Sequence, residues 1–365
     1  MPEVAVTGVG LVSALGETTA AWHSLLAGHS AIALRQPFAP LPPLPLAMLG
    51  KAPAAVDWLV EQAVQAALEE AHLSPPLPAC GIVLGSSRSY LQQWEQLAQQ
   101  PPQADDWIRA LPHQAALGVA RQVGSQGPVL APMAACATGI WALAQGYELI
   151  RTGQCDRVIA GAVEAPVTPL TLAGFAKMGA LAHSGCYPFD LDREGLVLGE
   201  GAAVVVLERL PVTARPAYGT VRGFGLLNDA FHMSRPQGKS AIAAVRQGLA
   251  RSQVRPDQID YVHTHGTATQ LNDQMEADLV SAMFPQAAVS STKGATGHTL
   301  GASGALGAVF SLMALKYQLL PPCVGLTNPA FELNWVRQAR AATVEHVCCC
   351  SFGFGGQAAV AIFGR

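Results

Sequence analysis

Short apolar runs alternate with helical patterns along the whole chain, and this alternation points to layers of helices packed on sheets. Strand candidates fall at residues 4–7, 81–84, 129–131, 157–160 and 202–208, and again at 219–225, 261–263, 288–291, 344–350 and 358–363. Several are apolar throughout, as strands covered on both faces should be. Helical spacing runs through 58–71, 137–152, 239–252, 274–283 and 301–318. One strand–helix series ends near residue 212 and another follows it, a weak two-fold organisation.

A chain of 365 residues can bury a sizeable core in one large domain or two fused ones. Only 13% of the residues are charged and 36 are Gly, which implies much interior, close packing of small residues and a large subunit interface. A hydrophobic content of 50% excludes a disordered chain, and a net charge of −3 with no basic run argues against nucleic acid. The eight cysteines lack the spacing of a disulfide framework. The first residues, MPEVAVTGVG, have neither a basic nor a hydrophobic signal region, so a reducing, cytoplasmic setting is expected. Between Lys293 and Lys316 no residue is charged, but Gly297, His298, Gly301, Gly304 and Gly307 interrupt the stretch. It reads as a buried small-residue helix rather than a membrane span. The proline-rich segment at 37–49 reads as an irregular surface crossing, and the polar segment at 92–107 as a helix followed by a loop.

Three glycine turns carry candidate chemistry. In GPVLAPMAACATGIWAL an apolar strand runs into Cys136 and a helical pattern starts just after it. A thiol at a helix N-terminus is expected to have a lowered pKa, although a lone Cys in an apolar run is also ordinary core. YVHTHGTAT ends a strand with His263 and His265, and STKGATGHTLGASGA brings Lys293 and His298. SFGFGGQ offers backbone N–H groups to a developing oxyanion. Zinc is the rival chemistry, with His263 and His265 on one strand face and His298 as third ligand, or with the run Cys348–Cys350. No CxxC pair or HExxH supports it. TGVGLVSALG looks like a dinucleotide loop, but Ser13 replaces its third glycine and no acid occurs between Glu17 and Asp57. Its glycines are expected in a strand-to-helix turn.

Together these motifs resemble the β-ketoacyl-acyl carrier protein synthases, in the Cys-His-His branch of the condensing enzymes. The resemblance runs end to end, through VAVTGVGLVSALG, ACATGIWAL, YPFDLDREGLVLGEGAAVVVLE, NDAFHMSRP, HTHGTATQLNDQMEA, STKGATGHTLGASGA and SFGFGG. It implies a thiolase-like α/β fold, a five-layer α-β-α-β-α sandwich of two pseudo-duplicated halves, residues 1–212 and 213–365. The first half would carry the nucleophile and the dimer interface, and the second the two histidines.

The resemblance also implies roles. Cys136 would take an acyl group from an acyl carrier protein. His265 and His298 would hold the malonyl thioester during decarboxylation, and the enolate would attack acyl-Cys136. The N–H groups of Cys136 and Phe354 would form the oxyanion hole, with Phe354 also gating the acyl pocket. Lys293 and Glu276 would pair and orient His298, and Thr267 and Thr269 would contact the pantetheine arm. No metal or cofactor is implied. The expected assembly is a homodimer, or a heterodimer with a related subunit. The alternative reading is a chain-length partner of another ketosynthase, with little activity alone, although such partners usually lack the nucleophile. The chain departs from the family in a shortened 36–51 region and in Gln357–Ala358 after the last glycines. It departs again in Arg88 and Asp106, which align with an apolar pair at the acyl pocket floor. The two are either a charged floor shared across the dimer or surface residues.

Overall fold

The computed structural model describes residues 3–99, 106–210, 218–233 and 238–365. One large mixed sheet runs through it. From the second half to the first, its strands follow the order Ala288–Ser290, Tyr261–His263, His346–Gly353, Gln357–Gly364, Gly219–Asn228, Val4–Ser13, Gly201–Arg209, Arg157–Glu164, Gly81–Gly85 and Val129–Leu130. Numbered by appearance within its own half, each set of strands reads 3-2-4-5-1 from edge to centre. The two first strands meet through a short antiparallel contact, Val4–Val6 against Val221–Gly219. The expected junction at 212/213 lies outside the described residues.

The helices complete five layers. Val56–Glu70 and Gln114–Val123 cover the outer face of the first half, and Gly238–Ser252 and Gln270–Met283 that of the second. Between the halves lie Thr138–Arg151 and Ser303–Tyr317. Every residue from Ser303 to Leu315 is buried, because a helix apolar on all sides is stable only as an inner layer. Each fully buried Leu or Phe there, such as Leu312 or Phe310, stabilises the fold by about 1.5–3 kcal/mol. By length and composition Leu300–Tyr317 is the one candidate membrane span among the described residues, and 89% of it is buried inside the protein.

Two local readings change. Gly8 and Gly10 do not form a strand-to-helix turn; they lie inside the Val4–Ser13 strand. A Cβ at Gly8 would stand 2.3 Å from Ala67 O, and one at Gly10 would stand 1.8 Å from Ala63 O. The glycines therefore let the Val56–Glu70 backbone lie directly on the strand. The proline-rich segment is not wholly at the surface either. Leu44–Leu46 pairs with Ala33–Arg35, and Leu46, Ala47 and Met48 are buried.

Candidate active site

Cys136 stands between the Val129–Leu130 strand and the Thr138–Arg151 helix, as the sequence pattern implied. The turn is made by Ala135, which adopts a left-handed φ of 48°, a conformation that costs a non-glycine residue roughly 1–2 kcal/mol. Thr138 Oγ1 secures it by accepting from Ala134 N–H and donating to Ala135 O. Ser351 Oγ donates to Cys136 O at 2.9 Å, tying the turn to the second half. Gly139 lets the two central helices touch, since a Cβ there would lie 2.3 Å from Ala305 N.

The expected low thiol pKa is corrected. Burial pushes the Cys136 thiol up to about 11; Glu164 adds to the rise, while Lys293, Arg88 and the Phe354 N–H oppose it. Only 9% of the residue is exposed, and enclosing a thiolate in apolar surroundings outweighs the helix terminus.

His265 and His298 meet at this sulfur. Ligating atoms of Cys136, His265 and His298 all lie within 4.8 Å of one another, the one such convergence of His, Cys, Asp or Glu among the described residues. The imidazoles stand edge to face with centroids 5.1 Å apart. Burial and the Lys293 charge hold both rings well below the usual histidine pKa, so they are neutral at physiological pH. Ser303 Oγ lies 2.7 Å from His298 Nδ1, a partner that sequence reasoning missed. His263 is not part of the cluster. The strand ends at His263, so the chain turns before His265, and His263 Nε2 faces Thr292 Oγ1 at 3.2 Å. The rival zinc arrangement of His263, His265 and His298 is therefore not formed. Cys348 and Cys350 face each other on a buried strand with sulfurs 3.8 Å apart, in the outer core of the second half.

Lys293 and Glu276 hydrogen-bond to the backbone of His265 and not to His298, which Lys293 reaches only through its charge. Glu276 accepts from His265 N–H at 2.7 Å and Gly266 N–H at 2.6 Å, and Lys293 Nζ donates to His265 O. The two charges thus grip the same residue's backbone from opposite ends, without a direct ion pair among the described residues. Burial pushes Glu276 up to about 7 and lowers Lys293, whereas Glu276 raises Lys293.

A cavity of about 370 Å³ leads from the surface to Cys136, His265 and His298. Thr267 and Thr269 line it, with hydroxyls 2.8 Å apart. Phe354 lines it as well; its N–H points at the Cys136 sulfur and its ring stands 6.1 Å from that of Phe175. The unusual Gln357–Ala358 does not leave this loop unsupported. Asn228 Nδ2 donates to Gly355 O at 2.8 Å, Asp229 N–H to Gly356 O, and Gly355 N–H to Met233 O. The motif NDAFHM therefore braces the Phe354 turn.

Arg88 and Asp106 do not line the cavity. Both are exposed in the single protomer. Arg88 approaches the cavity only from behind Phe175, its guanidinium 5.8 Å from the ring centroid, and Asp106 begins the one-turn helix Asp106–Arg109. An ionised guanidinium stays in water unless a partner arrives to pair with it.

Residues 54–212 match the N-terminal domain of β-ketoacyl synthases, and residues 218–327 match the C-terminal domain. The chain belongs to the β-ketoacyl synthase family. A 3-oxoacyl-[acyl-carrier-protein] synthase 2 of Coxiella burnetii is 32% identical to this ketosynthase, over 99% of the chain and 98% of the relative. The crystal structure of a β-ketoacyl synthase from Burkholderia phymatum STM815 superposes with a TM-score of 0.91 at 29% identity, covering 100% of both chains. A type II PKS acyl-carrier protein in complex with its ketosynthase, bound to the hexaketide, gives a TM-score of 0.94 at 23% identity over 100% of this chain and 99% of that one. At that identity the likeness speaks for the thiolase-like fold, which this ketosynthase shares.

Proposed function

We propose that this ketosynthase is an acyltransferase that condenses an acyl group held on Cys136 with a malonyl group held on an acyl carrier protein, releasing CO2 and a 3-oxoacyl product. The observation that carries the reading is the convergence of Cys136, His265 and His298 at the end of one cavity open to solvent. The same assembled cluster favours a catalytic subunit over a chain-length partner without chemistry.

The thioester of an incoming acyl carrier arm passes Thr267 and Thr269, whose hydroxyls suit the amides of a pantetheine. The Cys136 sulfur attacks the acyl carbonyl. Because the resting group is a thiol, its proton moves to a neighbouring imidazole as the bond forms, and from there to the departing arm's sulfur. The Phe354 N–H, with that of Cys136, receives the carbonyl oxygen as it gains charge. A malonyl thioester then occupies the vacated arm site. Its C–CO2 bond breaks, and the electron pair moves into the thioester as an enolate. With Ser303 donating to Nδ1, His298 keeps its proton on Nε2 and offers it to the enolate oxygen; neutral His265 offers a second donor. The enolate carbon attacks acyl-Cys136, the C–S bond breaks with the electron pair on sulfur, and the thiolate takes up one proton from solvent, the proton consumed by the decarboxylation. Lys293 supplies a buried positive charge that favours the Cys136 thiolate and suits the departing carboxylate.

The edge strand Val129–Leu130 supports dimerisation through the first half. Its free side is bordered by exposed Leu130 and Met133, and Trp141 nearby has a buried indole N–H without a partner among the described residues. A partner covering this edge is also what Arg88 and Asp106 need to become a buried pair at the pocket floor. The function is tested by incubating the protein with acyl- and malonyl-carrier protein. The expected results are an acyl mass on the peptide containing Cys136 and a 3-oxoacyl product. An acyl mass elsewhere, or no product, would overturn the reading.

A further inference from the structure

Glu164 ends the Arg157–Glu164 strand, fully enclosed, and has no part in the chemistry above. Five donors converge on its carboxylate. Oε1 accepts from Ser86 Oγ at 2.8 Å and from Arg88 N–H at 2.9 Å. Oε2 accepts from Ser87 N–H at 2.8 Å, Ser87 Oγ at 2.5 Å and Gly301 N–H at 3.0 Å. On balance the group is raised above the usual carboxylate range: burial pushes it up by more than the Ser87, Ser86 and Arg88 donors pull it down. Three of the five donors are backbone N–H groups, which can only donate, and they favour the ionised form.

These bonds join two segments that lie far apart in the sequence. Ser86, Ser87 and Arg88 form the turn after the Gly81–Gly85 strand. Gly301 lies between His298 and Ser303, the residue that holds His298 Nδ1. The residue before Gly301, Leu300, adopts a left-handed φ of 41°, a conformation that persists only when its surroundings enforce it. The joint has no spare room: a Cβ on Gly301 would lie 2.4 Å from Glu164 Oε2 and 2.6 Å from Ser87 N.

The structure assigns Glu164 a positioning role: it clamps the Ser86–Arg88 turn to the His298–Ser303 loop and so sets the spacing of His298 from the Cys136 sulfur. The inference rests on the roles proposed above for Cys136 and His298. It has a second arm, because the same negative charge opposes thiolate formation at Cys136, against Lys293, Arg88 and the Phe354 N–H. Loss of Glu164 therefore has opposite effects on the two partial reactions. His298 loses its placement while the sulfur becomes easier to ionise.

The test compares Glu164→Gln, Gly301→Ala and Ser87→Ala with the wild type, after thermal melts establish that each is folded. The wild type must first acylate Cys136 and decarboxylate malonyl-carrier protein; if it does neither, the proposed function fails before Glu164 is judged. In Glu164→Gln the new amide turns an N–H2 or loses an acceptor toward Ser87 and Gly301. Its kcat for malonyl decarboxylation should fall by roughly tenfold or more with KM little changed. Alkylation of Cys136 by iodoacetamide should move to lower pH. Gly301→Ala strains the joint but keeps the charge, so decarboxylation should fall with the alkylation profile in place. Ser87→Ala removes one donor and little volume, and should show a smaller fall of the same kind if the other variants do not fold. A proportional loss of acylation and decarboxylation, with no pH shift in Glu164→Gln, would reduce Glu164 to a structural residue and overturn the inference. So would unchanged decarboxylation in any folded variant of the three.

Discussion

The two halves share one strand order, yet the same stations carry different chemistry. In each half the third strand leads into a central helix: Val129–Leu130 into Thr138–Arg151, and Ala288–Ser290, by a longer path, into Ser303–Tyr317. The first passage presents Cys136. The second presents Lys293 and His298 before its helix begins. At the end of the second strand, the first half has the serine turn around Arg88, and the second half has His265. At the end of the fourth strand stand Glu164 in one half and the Phe354 turn in the other. A duplicated scaffold thereby suits a two-step reaction. Equivalent chain ends converge between the halves, so one half can carry the nucleophile while the other carries the groups that handle the enolate.

The contact that brings these stations together is the meeting of the two central helices, and breaking it should have the largest effect. Gly139→Ala places a Cβ against Ala305 N on a buried backbone with little freedom to move. The expected loss is roughly 3 kcal/mol of stability, read by denaturant unfolding, with both partial reactions impaired together. An unchanged unfolding midpoint would mean that the halves are held by the sheet alone.

A milder change sharpens the division of labour. Lys293→Met keeps length and removes charge. Lys293 lowers His265 and His298, so both should titrate at higher pH in the variant, and the acid limb of the decarboxylation profile should move up toward the ordinary histidine value. Lys293 also lowers the Cys136 thiol, so alkylation should need more alkaline pH. Decarboxylation at neutral pH should fall by about ten- to a hundredfold. Profiles that stay in place would remove Lys293 from the electrostatics of both halves.

The parts of this arrangement legible in the sequence are those encoded within one short segment. The strand, Cys136 and the helix after it are contiguous, and the turns bearing His265 and His298 follow apolar runs directly. The parts that were hidden depend on distant partners. Glu164 sits in VIAGAVEAPV, which reads as an ordinary covered strand until five donors from two other segments surround it. Ser303 lies in GASGA, where small residues suggest packing, and its bond to His298 depends on the left-handed turn at Leu300. Gly8 and Gly10 look like a turn because nothing local reveals that a helix will lie on them. The raised thiol pKa departs from the sequence expectation for a related reason: the helix terminus is visible in the sequence, whereas the depth of burial is set by both halves.

The central claim is that acylation belongs to Cys136 in the first half and decarboxylation to the histidines of the second. It is tested most directly by measuring the two partial reactions separately in Cys136→Ala and His298→Ala. The account predicts that Cys136→Ala forms no acyl-enzyme yet still releases CO2 from malonyl-carrier protein. It predicts that His298→Ala is still acylated on Cys136 but loses CO2 release by about a hundredfold or more. If Cys136→Ala loses decarboxylation as completely as His298→Ala, or if His298→Ala decarboxylates at the wild-type rate, the proposed division between the halves is contradicted.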